Sequence, residues 1–503
     1  MSFDSIELIY TACPNMINLR NYTNHFYSSD ELLNRIWYAG AYTLQTNTIS
    51  KKQGRVWGPP SSGWRNNALV GTRGDSIIVD GAKRDRTIWP GDLGVSLDTV
   101  FVSTNDVDSI KNTIDTLYDF QKTSGEFPFA GPQVNFYGSD TYHMWALVGT
   151  YNCYSYTNDK NWLKGVWDRY KTGVKFVLNK FSSNGLLLVT GVADWARIGQ
   201  GGENIAANSL MYKVLVGSAK LASEIGDKEY ASECTSRAAK LIVAINEYLW
   251  VPERGMYRDN PKSTMFPQDG NSLAVIYEIA NLTQSQSISD QLEKNWNQFG
   301  SRCVEKNNNI NGFPSSIEVH AHYKAKKTER ALNLIRRQWG YQLNSKLSTN
   351  STFWEGMKEN GEFDYSGSYM SHAHGWSTGP TSALTFYSLG LKIDGNDFVD
   401  WSFIPHVGDL SFVEGQITNS LGSYKANWSL QDGVFNGLVK VPKDTKGEIG
   451  IPLISKGCVI KINNETVMTG GAIVHPKLKI SIDEHFVYVH DLQERMYEIK
   501  VWN

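Results

Sequence analysis

The sequence predicts a mainly α protein in which six helical hairpins close into a toroid, followed by a smaller antiparallel β-sandwich. Three observations lead there. At 503 residues the chain exceeds what one ordinary core supports, so it either divides into domains or forms a large closed architecture. Twelve segments carry apolar residues at helical spacing, joined alternately by short turns and by long loops rich in Gly, Pro and Trp. After Gly395-Asn396-Asp397 the pattern changes to the two-residue alternation of half-buried strands.

Taken in order, residues 1–27 read as extended or irregular. A first helix starts at Ser28-Ser29-Asp30-Glu31, where Ser28 and Glu31 are expected to form a capping box ahead of Leu32, Leu33, Ile36 and Trp37. Helical patterns follow near 89–103, 106–123, 140–157, 160–181, 204–224, 227–249, 269–281, 284–298, 315–323, 325–343 and 376–391. The segment 160–181 shows the pattern: Trp162, Leu163, Val166, Trp167, Tyr170, Val174, Val177 and Leu178 share one stripe, with Lys164, Arg169, Lys171 and Lys175 elsewhere. Such helices must pack on neighbours. Paired into hairpins, they gather the long loops at one end of the ring, where a site is expected. Runs such as 437–441, 447–451 and 486–489 predict the strands of the C-terminal sandwich. The domain boundaries expected are a short segment 1–27, the ring 28–392 and the sandwich 393–503.

Charged residues are 20% of the chain and the formal net charge is -2, which argues against nucleic acid or an anionic membrane as partner and for a neutral, polar small molecule. Aromatic residues reach 12%, with 16 Trp and 25 Tyr; core packing takes most, and flat faces for sugar C–H surfaces are a second use. The five cysteines (Cys13, Cys153, Cys234, Cys303, Cys458) are scattered, without metal-ligand spacing, and read as reduced core thiols. The first 25 residues lack the signature of a secretory leader, and no stretch reaches membrane-spanning length, so a cytoplasmic protein is expected. The sequon Asn350-Ser351-Thr352, beside a candidate site residue, agrees with that.

Three polar clusters can carry chemistry. The first is Asp80-Gly81-Ala82-Lys83-Arg84-Asp85-Arg86-Thr87-Ile88-Trp89-Pro90-Gly91-Asp92, a loop running into the second helix. For Lys83, Arg84 and Arg86 an ion-pair role in pinning the loop is the favoured reading; for the three carboxylates a functional role is favoured. The second is Thr352-Phe353-Trp354-Glu355-Gly356-Met357, where one acid sits among aromatic and small residues, the setting of a salt-bridged core acid or of a catalytic one with a tuned pKa. The third, Ser371-His372-Ala373-His374-Gly375-Trp376-Ser377-Thr378-Gly379-Pro380, places two histidines before the last helix. No acidic or thiol ligand accompanies them, so neither metal nor other cofactor is expected, and a hydrogen bond to a sugar hydroxyl or a helix cap is the alternative. Trp145 and Asp194-Trp195 lie where the mouth of a toroid would be.

Read together, the first cluster, Trp354-Glu355 and His374-Gly375-Trp376-Ser377-Thr378-Gly379-Pro380 resemble the α-L-rhamnosidases of glycoside hydrolase family 78, over about residues 28–500 and in the same order. The resemblance implies an (α/α)6 catalytic domain, a six-hairpin glycosidase, followed by a β-sandwich. It implies inverting hydrolysis of a terminal α-L-rhamnoside, with Asp85 as general acid and Glu355 as general base. Asp80, Trp89, Asp92, Trp145, Asp194, Trp195 and His374 would shape the rhamnose pocket. Two departures stand out: many members carry glutamate as the acid in the first motif, which keeps Asp80 and Asp92 as rivals to Asp85, and many carry β-domains ahead of the toroid. A homodimer would compensate for the contacts those domains make. An acid held neutral near neutral pH further requires that Arg84 and Arg86 point away from the pocket.

Overall fold

The computed structural model describes residue 5 and residues 22–56, 66–363, 370–393, 401–493 and 495–503. Its helices are α1 (Glu31–Asn47), α2 (Pro90–Val102), α3 (Val107–Asp119), α4 (Asp140–Thr157), α5 (Lys160–Leu178), α6 (Ile205–Ile225), α7 (Lys228–Tyr248), α8 (Gln268–Ile276), α9 (Leu282–Glu293) and α10 (Gly312–Lys324). Then come α11, Thr328–Leu334 continued through a π turn into Gly340–Asn344, and α12, Gly379–Ala383 continued by a π turn over Leu384–Ser388.

These twelve rods form two concentric rings. The even-numbered helices pack each on the next, α12 closing back on α2, and the odd-numbered helices lie against them from outside. Burial explains the division. Every residue of α4 from Asp140 to Thr150 is buried, as suits an inner helix walled on all sides, whereas α7 buries only Cys234, Ala238, Leu241, Ala244 and Ile245, one stripe at three- and four-residue spacing. Each inner helix is entered through a long loop and left through a short turn such as Asn158-Asp159 or Gly226-Asp227. All six inner N-termini therefore face the same end as the long loops.

The ring closes tightly where α12 meets α10. A Cβ on Gly379 would collide with Ser316, and one on Gly312 with Ser377, so glycine at both positions lets backbone approach backbone. Helix starts follow local polar chemistry: Asp159, Asn204 and Asp227 each accept an N–H of the first turn. At α1 the cap is Asp30, which accepts from Leu32 N and Leu33 N. The expected Ser28–Glu31 box does not form, because Ser28 is in a strand and bonds Asn34 instead. Cys153, Cys234, Cys303 and Cys458 are buried free thiols, and Cys13 lies outside the described residues.

Apart from short two-stranded pairs in the loops of the ring, the strands are β1 (His25–Ser28), β2 (Leu391–Ile393), β3 (Trp401–Phe403), β4 (Phe412–Asn419), β5 (Gly422–Gln431), β6 (Val434–Lys440), β7 (Gly447–Pro452), β8 (Val459–Ile462), β9 (Glu465–Thr469), β10 (Ala472–Ile473), β11 (Lys479–Ile482), β12 (Phe486–Leu492) and β13 (Met496–Trp502). One sheet runs β1-β4-β5-β6-β13-β8-β9-β10 and is antiparallel throughout; the other runs β2-β3-β7-β12-β11, with a single parallel pair at β3 and β7. In β5 Tyr424, Ala426 and Trp428 point inward, the alternation of a half-buried strand. Trp428 Nε1 donates to the carbonyl of Ser388, tying this layer to the end of α12. β1, ahead of the ring in sequence, pairs with β4 far beyond it. Among the described residues no helix is long and apolar enough to cross a membrane.

Candidate functional site

Backbone pairing assembles the loop end. Thr48–Ser50 pairs with Ser76–Ile78, fixing the loop before α2; Gly81 bridges to His374; Ile310-Asn311 pairs with Gly356-Met357. Glu355 is thus held against the start of α10, and the loop of Asp80 against the loop of His374. Trp376 Nε1 and Gly312 N both donate to the carbonyl of Glu355, fixing its backbone further.

The sequence-predicted residues Asp80, Asp85, Asp92, Glu355 and His374 come together here, with Arg84 at their centre. Arg84 Nη2 donates to Glu355 Oε2 at 2.8 Å and Oε1 at 3.0 Å, while Nη1 lies 3.4 Å from Asp85 Oδ2. This overturns the expectation that Arg84 points away. Arg86 does turn aside, donating to the carbonyls of Gln53 and Ala82. Glu355 Oε2 also accepts from Ser371 N at 3.0 Å. His374 Nε2 lies 2.9 Å from Asp92 Oδ1, and its Nδ1 lies 3.9 Å from Glu355 Oε2.

The carboxylates differ in environment. Asp80 is buried and knits its own loop, accepting from Asp85 N at 2.6 Å and Thr87 N at 3.3 Å. Burial, then the charge of Asp85, pushes its pKa up to about 8. Asp92 sits in the first turn of α2, where the helix dipole favours an anion, and burial raises its pKa against the pull of His374. Asp85 keeps 15% of its side chain exposed; burial raises its pKa, and Arg84 and His374 oppose the rise. Burial alone would lower the pKa of His374, but Asp92, Glu355 and Asp80 outweigh it and lift the ring to about 9.

Across the mouth, Asp194 and Trp195 sit on the loop before α6. Trp195 Nε1 donates to Asp269 Oδ2 at 2.9 Å, and buried Arg197 pairs with Asp259 and Asp269, anchoring the loop. Burial pushes the Asp194 pKa up to about 6, with Arg197 pulling the other way, and its buried Oδ2 has no hydrogen-bond partner. Ring contacts run from Trp195 to Phe313 (5.9 Å), Phe313 to Trp376 (5.8 Å) and Trp376 to His374 (4.4 Å). They form an aromatic floor between the two polar groups. Trp89, half-buried at the start of α2, meets Phe129 and Tyr142. Trp145 lies beneath the floor, its ring 6.0 Å from Phe313, and lines a separate cavity at the opposite end of the ring.

Sequence reasoning did not single out Arg84, Ser371 or Phe313 as site residues. Arg84 carried a usable signal, standing next to Asp85 within the motif; Ser371 acts through its backbone and Phe313 through tertiary placement, so neither had one. Among the described residues no group of three His, Cys, Asp or Glu side chains is arranged to hold a metal ion.

Comparison with known proteins agrees with this architecture. Residues 65–384 match the family model described as the bacterial alpha-L-rhamnosidase six-hairpin glycosidase domain. Among solved structures, an α-L-rhamnosidase from Dictyoglumus thermophilum superposes with a TM-score of 0.73 at 16% identity, covering 95% of this chain and 50% of that one. A Streptomyces avermitilis α-L-rhamnosidase complexed with L-rhamnose gives 0.71 at 14% identity, covering 95% and 42%. A GH78 rhamnosidase of Bacillus sp. GL1 gives 0.65 at 21%, covering 82% and 41%. The chain thus spans half or less of each of these structures. No curated protein matches it.

Proposed function

Given that the chain belongs to the bacterial α-L-rhamnosidase six-hairpin glycosidase family, we propose that it hydrolyses terminal α-L-rhamnosides with inversion, Asp85 acting as general acid and Glu355 as general base. The observation that carries this reading is the meeting of Asp85 and Glu355 across one guanidinium. Sharing Arg84 puts the two carboxyls no further apart than the roughly 6.5–9.5 Å that lets a base-held water attack one face while an acid protonates the leaving oxygen on the other.

The geometry favours Asp85 over its rivals as acid. Asp80 spends its carboxylate on the backbone of its own loop and is only 2% exposed, and Asp92 is tied to His374. Asp85 is the most accessible of the three, and burial moves its pKa upward, the direction a general acid needs. Arg84 and Ser371 N orient Glu355, so that the base meets its water without searching rotamers. His374 with Asp92 on one side, and Asp194 with its unpartnered oxygen on the other, suit sugar hydroxyls, while Phe313 and Trp376 suit the apolar C6 methyl. The Streptomyces neighbour that binds L-rhamnose supports this substrate.

The test is release of rhamnose from nitrophenyl α-L-rhamnoside beside a panel of other nitrophenyl glycosides. Turnover confined to the rhamnoside is expected. Turnover of a different glycoside, or of none, would reject the reading.

A further inference from the structure

The loop that leads into α6 doubles back at the mouth of the ring. Ala196 N donates to the carbonyl of Asp194 at 2.7 Å, and Trp195 N donates to Asp194 Oδ1 at 2.8 Å, closing a three-residue turn. Ala196 has a φ of 76°, in the left-handed region that residues with a side chain seldom adopt, and it is exposed, so no burial of its methyl offsets the strain. Such a backbone persists only where its surroundings over-determine it.

The next residue, Arg197, ties the turn down. Its side chain is fully buried and pairs with Asp259 and Asp269, with Glu305 also close enough to act on its charge. Each of these acids holds backbone as well. The carbonyl of Asp259 accepts from Ile205 N at the start of α6. Glu305 accepts from Gln268 N at 3.0 Å and Asp269 N at 2.8 Å at the start of α8, where Pro267 supplies no side-chain cap. Asp269 Oδ2 takes Trp195 Nε1 at 2.9 Å on one side of the turn, and the carbonyl of Glu305 takes Ile198 N at 2.7 Å on the other. One guanidinium therefore stands at the junction of α6, α8 and the turn Val304–Lys306, with the strained residues fastened on both sides of it.

A buried ion-pair cluster is by itself weak evidence of stabilisation, because desolvation offsets most of the attraction. The charge balance around Arg197 points to a role toward the pocket instead. Four carboxyls, Asp194, Asp259, Asp269 and Glu305, act on this one cation. Burial, then the charge of Asp269, pushes the pKa of Glu305 up to about 8. Burial pushes that of Asp194 up to about 6; Arg197 opposes the rise, Asp269 adds to it, and Trp195 N and Thr141 favour the charged form by hydrogen bonding. The other charged groups beside the loop are engaged: Asp140 on α4 pairs with Lys180, and Lys306 Nζ donates to the carbonyl of Ala196. Removing the guanidinium thus takes away the main cation that favours an ionised Asp194, whose Oδ2 has no hydrogen-bond partner among the described residues.

We propose that Arg197 is a positioning residue for the substrate: by pairing with Asp259 and Asp269 it fixes the strained turn that carries Trp195, and it holds the Asp194 carboxylate beside its own charge, where that carboxylate takes the sugar hydroxyls. This role rests on the reading of the loop end as a rhamnoside site. Arg197 itself touches neither the substrate nor Asp85 and Glu355, whose alignment depends on Arg84.

The test is the pH dependence of nitrophenyl α-L-rhamnoside hydrolysis by the wild type, Arg197→Met, Arg197→Lys, Asp194→Asn and the double variants. An interaction made equally with substrate and transition state acts on KM, so Arg197→Met should raise KM at least about tenfold while kcat stays within about threefold. The acid limb of its kcat/KM profile should move to higher pH, and Arg197→Lys, which keeps the charge, should restore that limb. In the Asp194→Asn background, replacing Arg197 should add much less to KM than it does alone, because the two act as one unit. If circular dichroism shows that Arg197→Met does not fold, Arg197→Lys with and without Asp194→Asn decides: KM should rise in the single variant and rise little further in the double. Wild-type KM and pH profile in folded variants, a loss confined to kcat, or fully additive effects of Arg197 and Asp194 would overturn the proposal while leaving the rhamnosidase reading intact. A wild type inert on every rhamnoside would reject that reading, and this role with it.

Discussion

Arg84 grips both oxygens of Glu355, at 2.8 and 3.0 Å, from a position 271 residues away in the chain. Its other terminal nitrogen reaches Asp85. One cation from the loop before α2 therefore aligns an acid on its own loop with one on the loop before α12.

Replacing Arg84 separates charge from geometry. Arg84→Met leaves Glu355, only 9% exposed in its side chain, without its principal partner. Losing one member of a buried pair costs on the order of 3 kcal/mol, somewhat less here because Arg84 is itself partly solvated. Thermal unfolding should show a Tm lowered by several degrees. Arg84→Lys keeps the charge but has no second nitrogen with which to span Glu355 and Asp85, so it should recover most of the Tm but stay at least about tenfold down in kcat. A folded Arg84→Met with wild-type turnover would contradict the orienting role.

Glu355→Gln preserves shape and removes the base. Its kcat should fall by at least roughly 10²-fold, the lower end of general-base contributions, with circular dichroism unchanged. Near wild-type turnover in the folded variant would exclude Glu355 from the reaction.

Asp85→Asn should discriminate by leaving group. A nitrophenolate departs with little protonation, whereas a sugar or alkyl leaving group needs the proton, so the loss should be larger on the natural rhamnoside. Equal losses on both would return the acid to Asp80 or Asp92.

Stability should fall at alkaline pH. The His374 pKa is raised from 6.5 to about 9, so its contribution is full below pH 6.5 and is lost as pH rises through 9. The Asp80 pKa, raised to about 8, acts in the same sense, its contribution being lost between pH 3.8 and 8. The wild-type Tm should therefore drop from pH 6.5 to 9, and in His374→Gln that drop should shrink. An unchanged slope in the variant would mean that His374 is not the protonated partner of Asp92.

Inversion makes β-L-rhamnose the first product of an α-L-rhamnoside, visible by proton NMR before mutarotation. Retention would require carboxyls about 5–5.5 Å apart and a covalent intermediate that added methanol could intercept. Methyl rhamnoside formed in methanol would recast Glu355 as a nucleophile.

Periodicity was enough to read the ring. Stripes such as that of Trp162, Val166, Tyr170 and Val177 are local properties, set by 3.6 residues per turn, and the alternation of long and short connections implied hairpins whose loops share one end. The strand runs beyond residue 400 were legible on the same ground, whereas the gathering of Asp80, Asp85, Asp92, Glu355 and His374 was implied by the family resemblance of the motifs that carry them. What no local pattern encodes is which long-range partners meet. Ser28 and Glu31 have the spacing of a capping box, yet β1 pairs with β4 and draws Ser28 to Asn34, leaving the cap to Asp30. Arg84 was expected to point outward, but desolvating Glu355 beside it makes the ion pair the lower-energy arrangement. Trp145 stood at the expected mouth in sequence, and only the packing of Gly94 and Phe313 against it decided that its ring would line the far cavity. Residue type and spacing determine which element forms and which end it serves; the direction in which a buried side chain finally turns is decided by neighbours hundreds of residues away, because only close packing and charge pairing in three dimensions select among its rotamers.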